Sequence, residues 1–267
     1  MFILNFKKIL LIFLAFIFLI PSCAIKERLE QKPVVTYIEK PPELLWGDAT
    51  RYLKRQNYTE AAVAFEEIDK QHPYSKLAKQ SKMMAAYAYY LNKDYENSIF
   101  AIQRFISLHP ADKNMPYVLY LQGLCYYDQI HIVALDQNPS LNAKKVFTEL
   151  IKKFPNSTYS KDAEKKLLVA NDQLAAKEMH IGRYYQKKNR HLAAIERFKM
   201  VVNEYSTTAQ TPEALYRLTE SYLSIGIIKE AEKTTAVLSY NYKKSSWYRL
   251  SYDLFKKYGY QKNGKKG

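Results

Sequence analysis

The sequence predicts an all-α protein, built as a superhelical solenoid of about five helical hairpins. Three observations support this prediction. Small residues, large apolar residues and prolines recur in a fixed order along the body of the chain. Apolar residues follow the helical spacing of three and four positions, and few stretches alternate as a half-buried strand would. Only 7 of the 267 residues are glycine, so the helices have few weak points.

The second helix of each hairpin is marked by a small residue and by a large residue four positions later. The small residues are Ala61, Ser98, Ala143, Ala194 and Ala231. The residues four positions later are Phe65, Ile102, Phe147, Phe198 and Thr235. A proline twelve positions after the small residue ends the helix in three repeats, because proline cannot donate a backbone hydrogen bond. These prolines are Pro73, Pro110 and Pro155.

The first helix of each hairpin carries a matching small residue upstream, with a tyrosine three positions after it. The small residues are Ala49, Ala86, Gly123, Gly182 and Thr219. The tyrosines are Tyr52, Tyr89, Tyr126, Tyr185 and Tyr222. The third repeat holds an insertion of eight residues between its two small positions. Small residues let two helices approach closely while large neighbours fill the space beside them, and the pattern resembles the tetratricopeptide (TPR) repeat.

The N-terminal segment resembles a bacterial lipoprotein signal peptide. Lys7 and Lys8 precede an unbroken apolar run over residues 9–20, which is too short to span a bilayer. A small residue directly before Cys23 resembles a lipobox, which implies cleavage before Cys23 and acylation of that cysteine. Ala24 in the next position favours the outer membrane. The alternative is an uncleaved signal anchor with an incidental cysteine.

Four segments follow from these features. We expect a signal peptide over residues 1–22, a lipidated N-terminus and flexible tether over 23–42, a repeat domain over 43–258, and a basic disordered tail over 259–267. The net charge of +15 is concentrated partly in the signal and the tail. Because the repeat domain has no basic stripe with interleaved aromatic residues, nucleic acid is not a predicted partner.

The residues give no pattern of catalytic or metal chemistry. The histidines and cysteines lack the His-x-x-x-His and Cys-x-x-Cys spacings of metal sites, and no glycine-rich phosphate loop is present. Cys125 lies in an apolar run and is predicted to be a buried small hydrophobic residue. The sequence therefore predicts a protein that is not an enzyme, with no metal and no cofactor apart from the covalent lipid on Cys23.

The fourth and fifth repeats carry more specific motifs. They include Lys177-Glu178-Met179, Gly182-Arg183-Tyr184-Tyr185, Arg197-Phe198 and Trp247-Tyr248. Together with the lipobox and the repeats, these motifs resemble the alphaproteobacterial type of the BamD family, TPR lipoproteins of the outer-membrane β-barrel assembly machinery. The resemblance implies a scaffold that is lipid-anchored in the outer membrane, faces the periplasm and contacts the BamA insertase and other assembly lipoproteins. The alternative is another outer-membrane TPR lipoprotein, such as a secretin pilotin or a cell-wall coordination factor.

The resemblance further implies two binding surfaces. Arg197 falls where the family has an arginine that pairs with an acidic residue of BamA, and we expect its guanidinium to point outward and to be free for such a pair. A solvated surface charge is the alternative.

The family also recognises the C-terminal strand of unfolded outer-membrane proteins. Aromatic side chains on the concave surface suit an extended peptide with an aromatic end, and a lysine suits its carboxylate, unless the tyrosines merely pack between repeats. The predicted groove residues are Leu53, Lys54, Tyr87, Tyr90 and Tyr127.

Overall fold

The computed structural model describes residues 39–133 and 136–264, with side chains described up to residue 258. The chain divides into two units, Met1–Glu39 and Lys40–Gly267, and all described helices lie in the second. The predicted signal peptide, Cys23 and most of the predicted tether lie outside the described residues. No helix in the described ranges combines the length and the apolar composition of a membrane span.

The second unit consists of eleven helices over its described residues, with no strand among them. They are α1 (Pro42–Lys54), α2 (Tyr58–Gln71), α3 (Lys76–Leu91), α4 (Tyr95–Leu108), α5 (Met115–Tyr127), α6 (Asn138–Lys153), α7 (Thr158–Lys187), α8 (His191–Glu204), α9 (Thr211–Ser224), α10 (Ile228–Asn241) and α11 (Ser246–Gly264). Every helix packs against the next one, and α1, α3, α5 and α7 also pack in succession. The prediction of an all-α solenoid of about five TPR-like hairpins is confirmed.

The predicted helix contacts form the core of the hairpins. All ten small positions are buried, and the rings of Phe65, Phe147 and Phe198 have no exposed surface. Glycine has a specific function in two hairpins, because a Cβ atom at Gly123 would overlap the ring of Phe147 and one at Gly182 would overlap Phe198. The absence of a side chain therefore lets the phenylalanine ring lie directly against the backbone of the facing helix.

We expect Gly182→Ala to lower the free energy of unfolding. Overpacking against Phe198 costs about 1–3 kcal/mol, whereas the better helix propensity of alanine returns only about 1 kcal/mol. Gly47→Ala in α1 is the matched control, since a Cβ atom there meets nothing within 4 Å. Urea denaturation followed by circular dichroism should show Gly182→Ala destabilised and Gly47→Ala stabilised. Stabilisation of both variants would contradict the ring-on-glycine packing.

The ends of the second helices agree with the sequence. α2, α4 and α6 end two residues before Pro73, Pro110 and Pro155, as predicted. The insertion of the third repeat lies between its two helices, where residues 128–137 replace the turn 55–57 of the first hairpin. It lengthens a connection and leaves the packing of the hairpin unchanged.

The fifth hairpin replaces part of the apolar contact with a chain of hydroxyl groups. Thr219 Oγ1 lies 2.8 Å from Thr234 Oγ1 and 3.2 Å from Thr235 Oγ1. Thr235 Oγ1 lies 2.7 Å from Ser251 Oγ on α11. Thr219 and Ser251 are fully buried, so these bonds satisfy hydroxyl groups that have no access to water.

Two helices are longer than the repeat pattern requires. α7 has 30 residues against 16 in α3, and it joins two core clusters, one containing Ala163 and Ala170 and the other beginning at Ala175. α11 continues to Gly264. This helix therefore extends past residue 258, where the repeat domain was expected to end, and the disorder of the tail stays a prediction.

Candidate functional site

The predicted groove residues pack against two core clusters. Tyr87, Tyr90 and Tyr127 pack against one core cluster, which α3 to α7 build. Leu53 packs against another cluster, built by α1, α2 and α3, and Lys54 is exposed at the end of α1. The three tyrosines thus share one core cluster, and Leu53 packs against the neighbouring cluster, to which α3 also contributes.

Tyr90 is held by contacts with neighbouring helices. Its hydroxyl donates a hydrogen bond to Asp128 Oδ2 at 2.7 Å, and its ring centroid lies 6.1 Å from that of Tyr95. Burial and the hydrogen bond to Asp128 raise the pKa of the Tyr90 hydroxyl above its ordinary value. The hydroxyl therefore remains a donor at neutral pH, and the half-buried ring presents only part of its surface to a ligand.

Tyr127 also has partners within the protein. Its ring meets Phe147 edge-on at a centroid distance of 6.3 Å, and Lys166 Nζ lies 4.7 Å from the centroid of the Tyr127 ring. The ammonium group is attracted by the electron-rich face of the ring. Tyr127 therefore contributes to packing between repeats, although it too is only half-buried and keeps an accessible edge.

An aromatic cavity near Tyr87 was missed by the sequence analysis. It has a volume of about 480 Å³, and two of its walls are the first residues of α5 and α7. Its lining residues are Met83, Lys113, Asn114, Pro116, Tyr117, Ser157, Thr158 and Tyr159. Burial raises the pKa of the Tyr117 hydroxyl, with a smaller contribution from nearby Tyr87. Tyr120 lies three positions before the small residue Gly123, and Tyr117 lies one helical turn before Tyr120. This spacing is the signal that could have found Tyr117.

Arg197 is already paired inside the protein. Its Nη1 donates to Glu178 Oε2 at 3.1 Å, which links α8 to α7. The Arg197 side chain is 38% exposed and that of Glu178 is 17% exposed. The expectation of a free guanidinium is wrong, because the carboxylate of the Lys177-Glu178-Met179 motif lies within reach on the adjacent helix. The docking function of Arg197 itself stays a prediction.

The second family motif contributes Arg183 to a polar network between α7 and α9. Arg183 Nη1 donates to both carboxylate oxygens of Glu213, at 3.1 and 3.2 Å. Arg217 donates through Nε to Glu213 at 3.3 Å and through Nη1 to Glu220 at 3.0 Å. Gln186 Nε2 donates to the same Glu220 oxygen at 2.9 Å. The charged residues of the fourth and fifth repeats therefore form one connected set.

Among the described residues, the surroundings of the possible metal ligands and of the Cys125 thiol do not favour a reactive arrangement. Over the residues that the structure describes, no group of three or more histidine, cysteine, aspartate or glutamate side chains is placed to hold a metal ion. Cys125 is fully buried and its thiol donates to Ser98 Oγ at 3.2 Å. Burial raises the pKa of the Cys125 thiol to about 11, so the reactive thiolate is scarce at neutral pH.

The successive helical hairpins define a TPR-like helical-repeat protein, and comparison with known proteins identifies its family. The YfiO family, described as outer membrane lipoprotein, matches residues 38–238. An outer membrane protein assembly factor BamD from Caulobacter vibrioides is 42% identical over 235 residues, covering 88% of this chain and 76% of that protein. BamD from Rickettsia prowazekii is 42% identical over 221 residues, covering 83% and 88%. The chain belongs to the BamD family of outer membrane protein assembly factors.

Proposed function

We propose that this protein is a non-catalytic scaffold that docks to a BamA-type barrel insertase and receives unfolded β-barrel proteins during their assembly. Relatives named as outer membrane protein assembly factors support the general role. The observation that carries the substrate-binding part is the aromatic surface of Tyr87, Tyr90 and Tyr127, together with the cavity near Tyr87. Accessible tyrosine edges offer apolar area and a polar tip to an extended peptide.

The cavity suits the end of such a peptide. The cavity of about 480 Å³ has room for an aromatic side chain against Tyr117 and Tyr159, whose ring centroids lie 5.5 Å apart on its wall. Lys113 at the wall, and the first turns of α5 and α7, provide positive potential for a terminal carboxylate. The sequence suggested Lys54 for this contact, which stays a prediction; we assign the contact within the cavity to Lys113, because Lys113 lines it.

Docking to the insertase is assigned to the C-terminal hairpins, with Arg197 as the central contact. Only Nη1 of this guanidinium bonds to Glu178, and the side chain keeps more than a third of its surface. A guanidinium has enough N–H groups to bind a second carboxylate from a partner. Glu178 would then orient Arg197, so that less conformational freedom is lost on docking.

The lipid anchor on Cys23 completes the proposal. Acyl chains on this cysteine would hold the protein at the periplasmic face of the outer membrane, and stable anchoring needs more than one chain. The segment between Cys23 and α1 would let the repeats reach partners away from the lipid surface.

Purification of the tagged full-length protein from detergent-solubilised membranes tests this proposal. We expect a BamA-type barrel protein and other assembly lipoproteins to co-purify, and the N-terminal peptide to begin at an acylated Cys23. Mass spectrometry measures both. Recovery of a secretin or of cell-wall enzymes without a barrel insertase would contradict the docking proposal and favour another outer-membrane TPR lipoprotein.

A further inference from the structure

We infer that α7 and α9 carry a third binding site, which takes an acidic segment of a partner protein. The site is a polar cavity of about 360 Å³, lined by Arg183, Gln186, Lys187, Arg217 and Glu220. It lies in the fourth and fifth hairpins, whereas the tyrosine surface belongs to the second and third. The inference goes beyond the proposed function, because neither the substrate groove nor Arg197 includes these residues.

The repeat register shows that the same face of the solenoid changes its chemistry. In the second hairpin, the tyrosine three positions after the small residue is Tyr89. Tyr90 follows it directly, and Tyr87 lies one helical turn before Tyr90. Gln186 and Arg183 occupy the equivalent positions in the fourth hairpin. A face that is aromatic in one half and charged in the other does not bind the same ligand along its whole length. A ligand of the charged half therefore belongs to a different chemical class from a ligand of the aromatic half.

Hydrogen-bond donors exceed acceptors in this cavity. Glu213 already accepts from Arg183 and Arg217, and Glu220 accepts from Arg217 and Gln186. The two guanidinium groups have more N–H groups than these bonds use. An incoming group that only accepts hydrogen bonds fits this surplus, and an ionised carboxylate is such a group.

Lys187 adds positive charge at the rim. Its side chain is exposed, and among the described residues it forms no ion pair. Three cationic side chains thus line the cavity together with one carboxylate, that of Glu220. Because the carboxylates are already engaged, the remaining potential favours an acidic side chain of the ligand.

The site is separate from the ion pair of Arg197. That pair uses Glu178, which stands five residues before Arg183 on α7. Five residues of an α-helix correspond to a rotation of about 140° beyond a full turn, so the two side chains leave α7 on different faces. A ligand in the polar cavity and a carboxylate paired with Arg197 are therefore distinguishable by mutation.

Lys187→Glu and Lys188→Glu form a matched pair of variants for testing this site. Both lysines are exposed and adjacent, and both substitutions change the net charge equally, but only Lys187 lines the cavity. The probe is fluorescein-labelled hexaglutamate, and its binding to the full-length protein in detergent is followed by fluorescence anisotropy at low ionic strength. We expect Lys187→Glu to raise the Kd roughly tenfold and Lys188→Glu to raise it less than about twofold.

Three outcomes would overturn the inference. Equal losses in both variants would indicate diffuse attraction to a basic protein, and equal binding of hexaglutamine would show that carboxylates are not recognised. Displacement of the probe by inorganic phosphate, at an ionic strength where chloride does not displace it, would indicate a phosphate site. The Tyr90→Ala, Tyr127→Ala double variant should bind hexaglutamate normally, so failure of this site and failure of the substrate groove are separable.

Discussion

Arg197→Glu is expected to abolish co-purification of the BamA-type protein. The substitution removes the guanidinium proposed to meet a partner carboxylate and puts a negative charge in its place. Loss of a desolvated charge pair costs on the order of 2–5 kcal/mol, which corresponds to a loss of affinity of at least about thirtyfold. Affinity purification from membranes, quantified by immunoblot against the partner, measures the effect.

The internal ion pair determines the controls for this variant. Arg197→Glu alone faces Glu178 with a like charge, and the repulsion could loosen α8 from α7. The exchange Glu178→Arg with Arg197→Glu restores an internal pair in reversed orientation and should still fail to bind. Lys199→Glu on the same helix, whose lysine pairs with the exposed Glu196, should retain binding. Normal complex formation by the exchanged protein would show that Arg197 only connects the two helices.

The packing of the hairpins could be predicted from sequence because it imposes a repeating requirement on residue size. Two helices touch where both side chains are small, so Ala49 and Ala61 mark one contact and Gly182 and Ala194 another. At position 182 the small residue is glycine, and the ring of Phe198 lies against its backbone. These features depend on local spacing along a helix, and local spacing is what a single sequence displays.

The turns inside the hairpins could not be predicted in the same way. Gln56, Lys93, Asn189 and Gly226 adopt positive φ values of 62°, 60°, 57° and 78°, each five residues before the small residue of the second helix. Left-handed backbone usually calls for glycine or asparagine. The glutamine and lysine carry no such signal, because packing of the two helices fixes the turn and overrides their local preference.

Partners of the candidate binding residues come from other helices and were likewise hidden. Tyr90 bonds to Asp128, 38 residues away, and Arg197 pairs with Glu178, 19 residues away. Neither Asp128 nor Glu178 stands at one of the positions that recur in the repeats, so the repeat pattern did not connect either residue with its partner. The repeat pattern predicted which positions of the first helices are exposed. The contacts between helices determine how much surface of each side chain remains accessible to a ligand.

Replacing Tyr90 and Tyr127 together by alanine is expected to weaken binding of a peptide from a C-terminal barrel strand at least about thirtyfold. An aromatic residue at the centre of a binding surface contributes about 2 kcal/mol or more, and the double variant removes two such rings. Fluorescence anisotropy with a labelled peptide that ends in phenylalanine measures the Kd. Circular dichroism must accompany it, because Tyr127 also packs against Phe147 and under Lys166.

Two tyrosine variants separate recognition from folding. Tyr90→Phe keeps the ring and removes only the hydrogen bond to Asp128, so peptide affinity should stay close to that of the unaltered protein if the ring is what the peptide contacts. Tyr74→Ala removes a fully exposed tyrosine from the turn before α3 and should have no effect. Unchanged peptide affinity in the double alanine variant, with helicity intact, would show that Tyr90 and Tyr127 only pack between repeats. A loss of affinity confined to that variant would instead locate the peptide on the aromatic surface, because the two controls change a hydroxyl group and a distant ring while leaving that surface in place.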